Sequence, residues 1–160
     1  MTKLVVASDH TGVALRTRLA QACGALGHQV TDLVPDSTDR VDYVDYAQLV
    51  CERIQSGTAE LGLLVCGSGI GMQIAANRYP EVRAAVIHEH YSAEFARAHN
   101  DANVACFGAR VVAPDFAVSV LERFLSTPFE GGRHQRRVDR LAHLGRAPVG
   151  VATVVDPSIS

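Results

Sequence analysis

The sequence predicts an α/β fold: a parallel sheet with helices covering both faces. Three observations predict it. Short β-rich runs alternate with helix-patterned segments five times along 160 residues. The run Leu61 to Val65 is apolar throughout, as a strand buried on both faces is. That run passes through Cys66 into a turn with glycines at 67, 69 and 71, and then into a helix-compatible segment, Met72 to Asn77. In such sheets a ligand sits beyond the carboxyl ends of the strands.

Taken in order, Lys3 to Ser8 reads as the first strand. Asp9 to Gly12 ends it and starts a helix whose inner face is Val13, Leu15, Leu19, Cys23 and Leu26. Gly27 punctuates, and Gln29 to Leu33 is a second strand. Pro35 to Val41 is polar and loop-like, and a helix follows from Tyr43 to Gln55, closed by Ser56-Gly57. Leu61 to Cys66 is the third strand and Val82 to Ile87 the fourth. Tyr91 to Asn100 is helical, with Ser92 as a candidate cap. Asn103 to Phe107 is a fifth strand, Asp115 to Ser126 a helix, and His134 to Leu144 another. Residues 1–145 therefore form one domain, with 146–160 as a tail in which Val149 to Val155 could dock on a partner.

Composition narrows the function. Apolar residues make up 48% of the chain and charged residues 20%, which suits a globular domain with a real core. A net charge of −2 provides no field for nucleic acid. No apolar run approaches the roughly 20 residues of a membrane span. The four cysteines lack zinc spacing, so free thiols in a reducing cytoplasm are expected.

The residues just after the strands are where chemistry is expected: Asp9-His10, Cys66 to Gly71, His88-Glu89-His90 and Gly108 to Arg110. A thiol beside a glycine turn and a helix start has N–H groups and a dipole that favour thiolate and oxyanion alike. Asp9 and His10 suit hydroxyls or phosphate, although Asp9 could equally cap the next helix. Tyr43 opens a helix and could bond a sugar hydroxyl or simply pack. His99-Asn100-Asp101 places an imidazole, the side chain best suited to proton transfer near neutrality, at a helix end. Arg133 and Arg137 lie four apart, with His134 beside them, and can grip a phosphate. His88 and His90 invite a metal reading, but no third ligand is evident.

Together these pieces resemble the type B ribose-5-phosphate isomerases, whose wider family includes the galactose-6-phosphate isomerase subunits. The motifs are SDHTG from Ser8, DYVDYA from Asp42, CGSGIGMQIAAN from Cys66, HNDANVACFGAR from His99 and EGGRHQRRV from Glu130. The likeness runs from residue 3 to about 145. It implies a Rossmann-like three-layer αβα sandwich on a five-stranded parallel sheet. It also implies a homodimer with sites shared between subunits, and leaves a tetramer open. The implied reaction is a cofactor-free, metal-free aldose–ketose isomerisation of a sugar phosphate through a cis-enediol(ate). By the same resemblance Cys66 is the base, and Gly67, Ser68, Gly69, Ile70 and Gly71 form the anion hole. His99 opens the furanose ring, while Asp9, Tyr43 and Asn100 contact the sugar. His10, Arg110, Arg133, His134 and Arg137 bind phosphate.

The chain departs from the family pattern in places. Val44 stands where Pro is frequent, Ser68 where relatives carry Thr, and His88 and His90 where small residues or Pro are common. A related branch carries glutamate at the place of Met72, so Cys66 is the one candidate base in this turn. These differences leave tetrose 4-phosphates, allose 6-phosphate and galactose 6-phosphate as alternatives to ribose 5-phosphate. A non-catalytic sugar-phosphate module is the rival of another class. A dinucleotide oxidoreductase fits poorly, because strand one ends in Ser-Asp-His rather than in glycines.

Overall fold

A computed structural model describes residues 1–34 and 39–144. The proposed tail, including Val149 to Val155, lies outside the described residues, as do residues 35–38 of the loop that begins at Pro35.

Five parallel strands form one sheet in the order β2-β1-β3-β5-β4. They are β1 (Lys3–Ser8), β2 (Gln29–Asp32), β3 (Leu61–Cys66), β4 (Ala84–Val86) and β5 (Val104–Gly108). The helices between and after them are α1 (Val13–Ala25), α2 (Tyr43–Gln55), α3 (Ile70–Ala76), α4 (His90–Ala98), α5 (Pro114–Ser126) and α6 (Arg133–Leu141). The chain runs from β1 outward to β2, then returns to place β3 on the other side of β1. That reversal opens a crevice between the carboxyl ends of β1 and β3.

Two apolar layers sandwich the sheet. Leu15, Leu19, Ala93, Ala117, Leu121 and Phe124 of α1, α4 and α5 pack on one face, over Leu4, Leu63 and Phe107. Ala47, Val50, Met72 and Ala76 of α2 and α3 pack on the other, over Val5, Leu64 and Cys106. This is the three-layer sandwich that the family resemblance implies.

Several boundaries differ from expectation for local reasons. Gly69 takes φ 80°, which glycine adopts without cost, so α3 starts at Ile70 and not at Met72. Glu89, not Ser92, caps α4: its carboxylate accepts from the Tyr91 and Ser92 N–H groups. The β4 strand is shorter than Val82 to Ile87, because side chains replace its ladder. Asn103 Oδ1 takes the Arg83 N–H at 2.8 Å, and the Asn77 amide brackets Ala84 from both sides. Asp9 does not cap α1; Gly12 occupies that position without a side-chain bond.

The inner face of α1 holds an unexpected charge. Arg16 is 1% exposed, with Nε 3.0 Å from Asp32 Oδ2 and Nη1 donating to Ser8 Oγ at 3.3 Å. Leu26, expected inside, is exposed instead. Removing Asp32 would take one ion-pair partner from a buried guanidinium, a loss softened by water on the partly exposed Asp32 side. Asp32→Ala is therefore expected to cost about 2 kcal/mol, read as a lower urea midpoint.

Candidate active site

Cys66 is the last residue of β3 and is nearly buried. The Gly69 N–H donates to its Sγ at 3.1 Å. The turn that makes this bond needs its glycines. A side chain at Gly69 would face both a φ of 80° and the Phe107 backbone at 3.1 Å. The Tyr43 ring lies where a Gly71 side chain would be, 2.9 Å from that point. Tyr43 is the first residue of α2, whose cap Asp42 accepts from the Val44 N–H at 3.1 Å. Ser68 Oγ accepts from the Ile70 N–H, and Ile70 itself is exposed.

The β1 side of the crevice supplies Asp9, which is buried. Its Oδ1 accepts from Thr11 twice, from the N–H at 2.9 Å and from Oγ1 at 2.6 Å. Thr11 thereby fixes the carboxylate and leaves Oδ2 for a ligand. Thr11 Oγ1 and the Arg110 side chain both lie within 3.7 Å of the Cβ position of Gly67, so the two flank the turn. The His10 Nδ1 accepts from the Val41 N–H at 3.5 Å, which leaves its Nε2 as a donor. The end of β3 holds Arg110 in place: Ala109 and Arg110 N–H groups donate to the Cys66 and Gly67 carbonyls at 2.8 and 3.1 Å.

The other cysteines lie away from this turn. Burial pushes the Cys23 thiol up to about 11 and the Cys51 thiol to about 12. It raises Cys106 as well, helped by neighbouring Cys66 and Cys51. All are free thiols.

A second cluster gathers His99, Asn100, Arg133 and His134. The rings of His99 and His134 stack with centroids 4.0 Å apart and planes 11° from parallel. Phe95 flanks His99 at 4.5 Å. Arg133 Nε donates to His134 Nε2 at 3.2 Å, so His134 accepts there as a neutral ring. Burial lowers the pKa of His134, and His99, Arg133 and Arg137 lower it further against an opposing pull from Glu130. Asn100 Nδ2 donates to the Phe95 carbonyl. Asp101 is held between Arg83 and Arg97, each at 2.9 Å, and this clamp fixes the turn that carries His99. Arg137 is exposed one helical turn beyond Arg133.

Glu130 Oε2 lies 3.7 Å from Nε2 of both histidines, and the three ligand atoms fall within 4.8 Å of one another. An imidazole binds a metal in its own plane, and these planes are nearly parallel. A cation would have to displace Arg133 and turn one ring out of the stack. At the other suggested metal group, His88 and His90 part company: His88 Nε2 faces the Gly108 N–H and His90 Nε2 faces Ser119 Oγ.

The two clusters lie at opposite ends of the sheet. Cys66 and Gly108 pair at the carboxyl end, whereas His99 to Asn103 precede β5 at the amino end. The five residues of β5 separate them by about 13 Å along the strand direction. So only part of the predicted set lies beyond the carboxyl ends of the strands. One chain brings together Cys66, the glycine turn, Asp9, His10, Tyr43 and Arg110, but not His99, Asn100, Arg133, His134 and Arg137. Thr11 and Glu130 border these clusters, and sequence reasoning left both unassigned. Thr11 and Glu130 stand inside quoted motifs, and His88 stands out as a departure from the family pattern.

Comparison with known proteins places the chain in a family. The Ribose/Galactose Isomerase family model matches residues 4–141. Ribose-5-phosphate isomerase B of Escherichia coli is 39% identical over 141 residues, spanning 88% of this chain and 95% of that protein. A putative sugar phosphate isomerase of Bacillus subtilis is 40% identical over the same shares of both chains. Among solved structures, ribose-5-phosphate isomerase B of Clostridium thermocellum superposes with a TM-score of 0.88 at 38% identity, covering 90% of this chain and 97% of that one. The Mycoplasma genitalium enzyme with bound ribulose 5-phosphate gives 0.87 at 36% identity, covering 91% and 97%. The thiol on its glycine turn at the β1–β3 crevice, the ordered motifs and these likenesses converge: the chain belongs to the ribose/galactose isomerase family.

Proposed function

We propose that this protein interconverts ribose 5-phosphate and ribulose 5-phosphate through a cis-enediol(ate), without a cofactor or metal. The observation that carries the reading is the Cys66 thiol, oriented by the Gly69 N–H inside a turn of backbone donors at the switch point. In the open-chain aldose, Cys66 removes the proton from C2 and delivers one to C1. Charge builds on the carbonyl oxygen at C1 and is held by the N–H groups of Gly67 to Gly71, and the hydroxyl proton passes from O2 to O1 as C1 receives its proton, which completes the ketose with no net loss of protons. His99 donates to the ring oxygen as the furanose opens. Asp9 Oδ2 and the Tyr43 hydroxyl hold sugar hydroxyls, with Asn100 alongside. The cationic and imidazole donors His10, Arg110, Arg133, His134 and Arg137 hold the phosphate.

The working unit is a homodimer in which the His99 cluster of one copy completes the Cys66 cluster of the other. Two features support this. The clusters lie too far apart in one chain to touch one pentose phosphate. Beside the glycine turn, α3 exposes Ile70 and Ile74, at 54% and 62%, as a surface for a partner. Among the described residues no helix is long and apolar enough to cross a membrane. With four free thiols, a reducing cytoplasm suits the chain.

The test is proton NMR in deuterated buffer with ribose 5-phosphate, beside erythrose 4-phosphate, allose 6-phosphate and galactose 6-phosphate. Ribose 5-phosphate should react fastest, with deuterium entering next to the carbonyl. A faster tetrose or hexose would keep the chemistry and change the substrate. No turnover of any sugar, with phosphate raising the Tm, would favour a binding module.

A further inference from the structure

We propose that His88 is a positioning residue, whose imidazole holds the Gly108 amide so that the Arg110 turn and the Cys66 turn stay pressed together. This rests on the reading of Cys66 as the acting thiol. His88 follows β4 just past the last paired residues, Val86 and Cys106. Ile87 still donates to the Cys106 carbonyl at 3.0 Å, and there the backbone ladder ends. Two residues further along β5, the Gly108 N–H meets His88 Nε2 at 3.0 Å instead of a backbone carbonyl. The imidazole thus extends the edge strand by one bond where that strand is shortest.

Gly108 is a point of very close approach. A Cβ there would lie 2.7 Å from the Ser68 carbonyl, and one on Gly69 would lie 3.3 Å from the Gly108 nitrogen. The chain of contacts is short. His88 holds Gly108, Gly108 bears on Ser68 and Gly69, and the Gly69 N–H holds the Cys66 sulfur. On the other side, Gly108 leads directly into Ala109 and Arg110, which bond the Cys66 and Gly67 carbonyls. A buried Gly108 N–H without an acceptor would be costly, and the turn would shift to find water.

The role requires an unprotonated Nε2. Burial lowers the His88 pKa from the ordinary 6.5, so the acceptor is present at neutral pH and is lost only as pH falls below that value. Neighbouring charges are engaged or turned away: the Glu89 carboxylate caps α4, His90 bonds Ser119, and the Arg110 side chain is exposed beside Gly67.

The test compares His88→Phe, which keeps a ring without an acceptor, with His88→Gln, whose amide oxygen can accept but does not titrate. His88→Phe should lower kcat by about 10- to 100-fold, with a smaller change in KM, since sub-ångström misplacement acts on the chemical step. His88→Gln should recover most of kcat and remove the acid-side fall that wild type owes to this ring. Nitrogen NMR of the wild-type protein is independent of folding in the variants. It should show an unprotonated His88 Nε2 at pH 7.5, and a Gly108 amide whose exchange speeds up as that nitrogen protonates. Wild-type kcat in His88→Phe, or a protonated Nε2 at pH 7.5, would overturn the proposal. If wild type turns over no sugar, the isomerase reading fails, while the Nε2 and Gly108 signals still decide whether His88 holds the turn.

Discussion

Cys66→Ala is expected to lower kcat for ribose 5-phosphate by at least about 10³-fold, while circular dichroism and Tm stay close to wild type. General base catalysis alone contributes roughly 10²- to 10⁴-fold, and within the glycine turn no other group can take over. Met72, the third residue of α3, is fully buried and carries no ionisable group. Cys51 and Cys106 sit deeper, with burial holding both as thiols. The stability cost is small because one sulfur atom at a nearly buried strand end leaves little cavity, about 1 kcal/mol. Cys66→Ser separates orientation from chemistry. Its hydroxyl can still accept from the Gly69 N–H, yet it is a far weaker base, so it should be nearly as inactive as alanine. Turnover within tenfold of wild type in Cys66→Ala would end the assignment of this residue as the base.

Mixing two inactive variants should restore activity. Cys66→Ala and His99→Asn each lose one cluster and keep the other. If sites are shared across a dimer, a mixed dimer contains one site with both defects and one site with none. Random re-association makes about half of the dimers mixed, so about a quarter of wild-type activity should return after the two are unfolded and refolded together. Purifying the mixed dimer through two different tags should raise that to about half. No recovery in the purified mixed dimer would mean that each chain completes its own site, contrary to the separation along β5. The two experiments ask different things. The first concerns what Cys66 does, and the second concerns which copy supplies the imidazole.

The order of strands and helices was readable from local pattern. Apolar runs of strand length and helical spacing in α2 and α5 depend on near neighbours in the chain, and both came within a residue or two of the observed elements. The errors came where side chains replaced backbone. Asn77 and Asn103 cut β4 short, and Glu89 took the cap expected of Ser92. Nothing local announces such bonds, since Asn103 and Arg83 meet only when β5 lies beside β4. Arg16 went unread in the sequence for a related reason: a charge on the inner face of α1 is tolerated where β2 brings Asp32 against it.

By itself, the sequence determined that Cys66 stands at the end of a buried strand with glycines behind it, because strand, turn and helix start are contiguous in the chain. It also determined the family, through motifs whose residues are close in sequence. Tertiary structure alone decided which of those motifs meet. Asp9, Tyr43, Cys66 and Arg110 converge because β1, β3 and β5 are neighbours and their carboxyl ends share one edge of the sheet. His99 and His134 stack at the opposite edge because α4 and α6 deliver them there. Spacing along the chain carries no information about which end of a sheet a residue reaches. That depends on the direction of each strand and helix, and it separates two clusters that read as one list in the sequence.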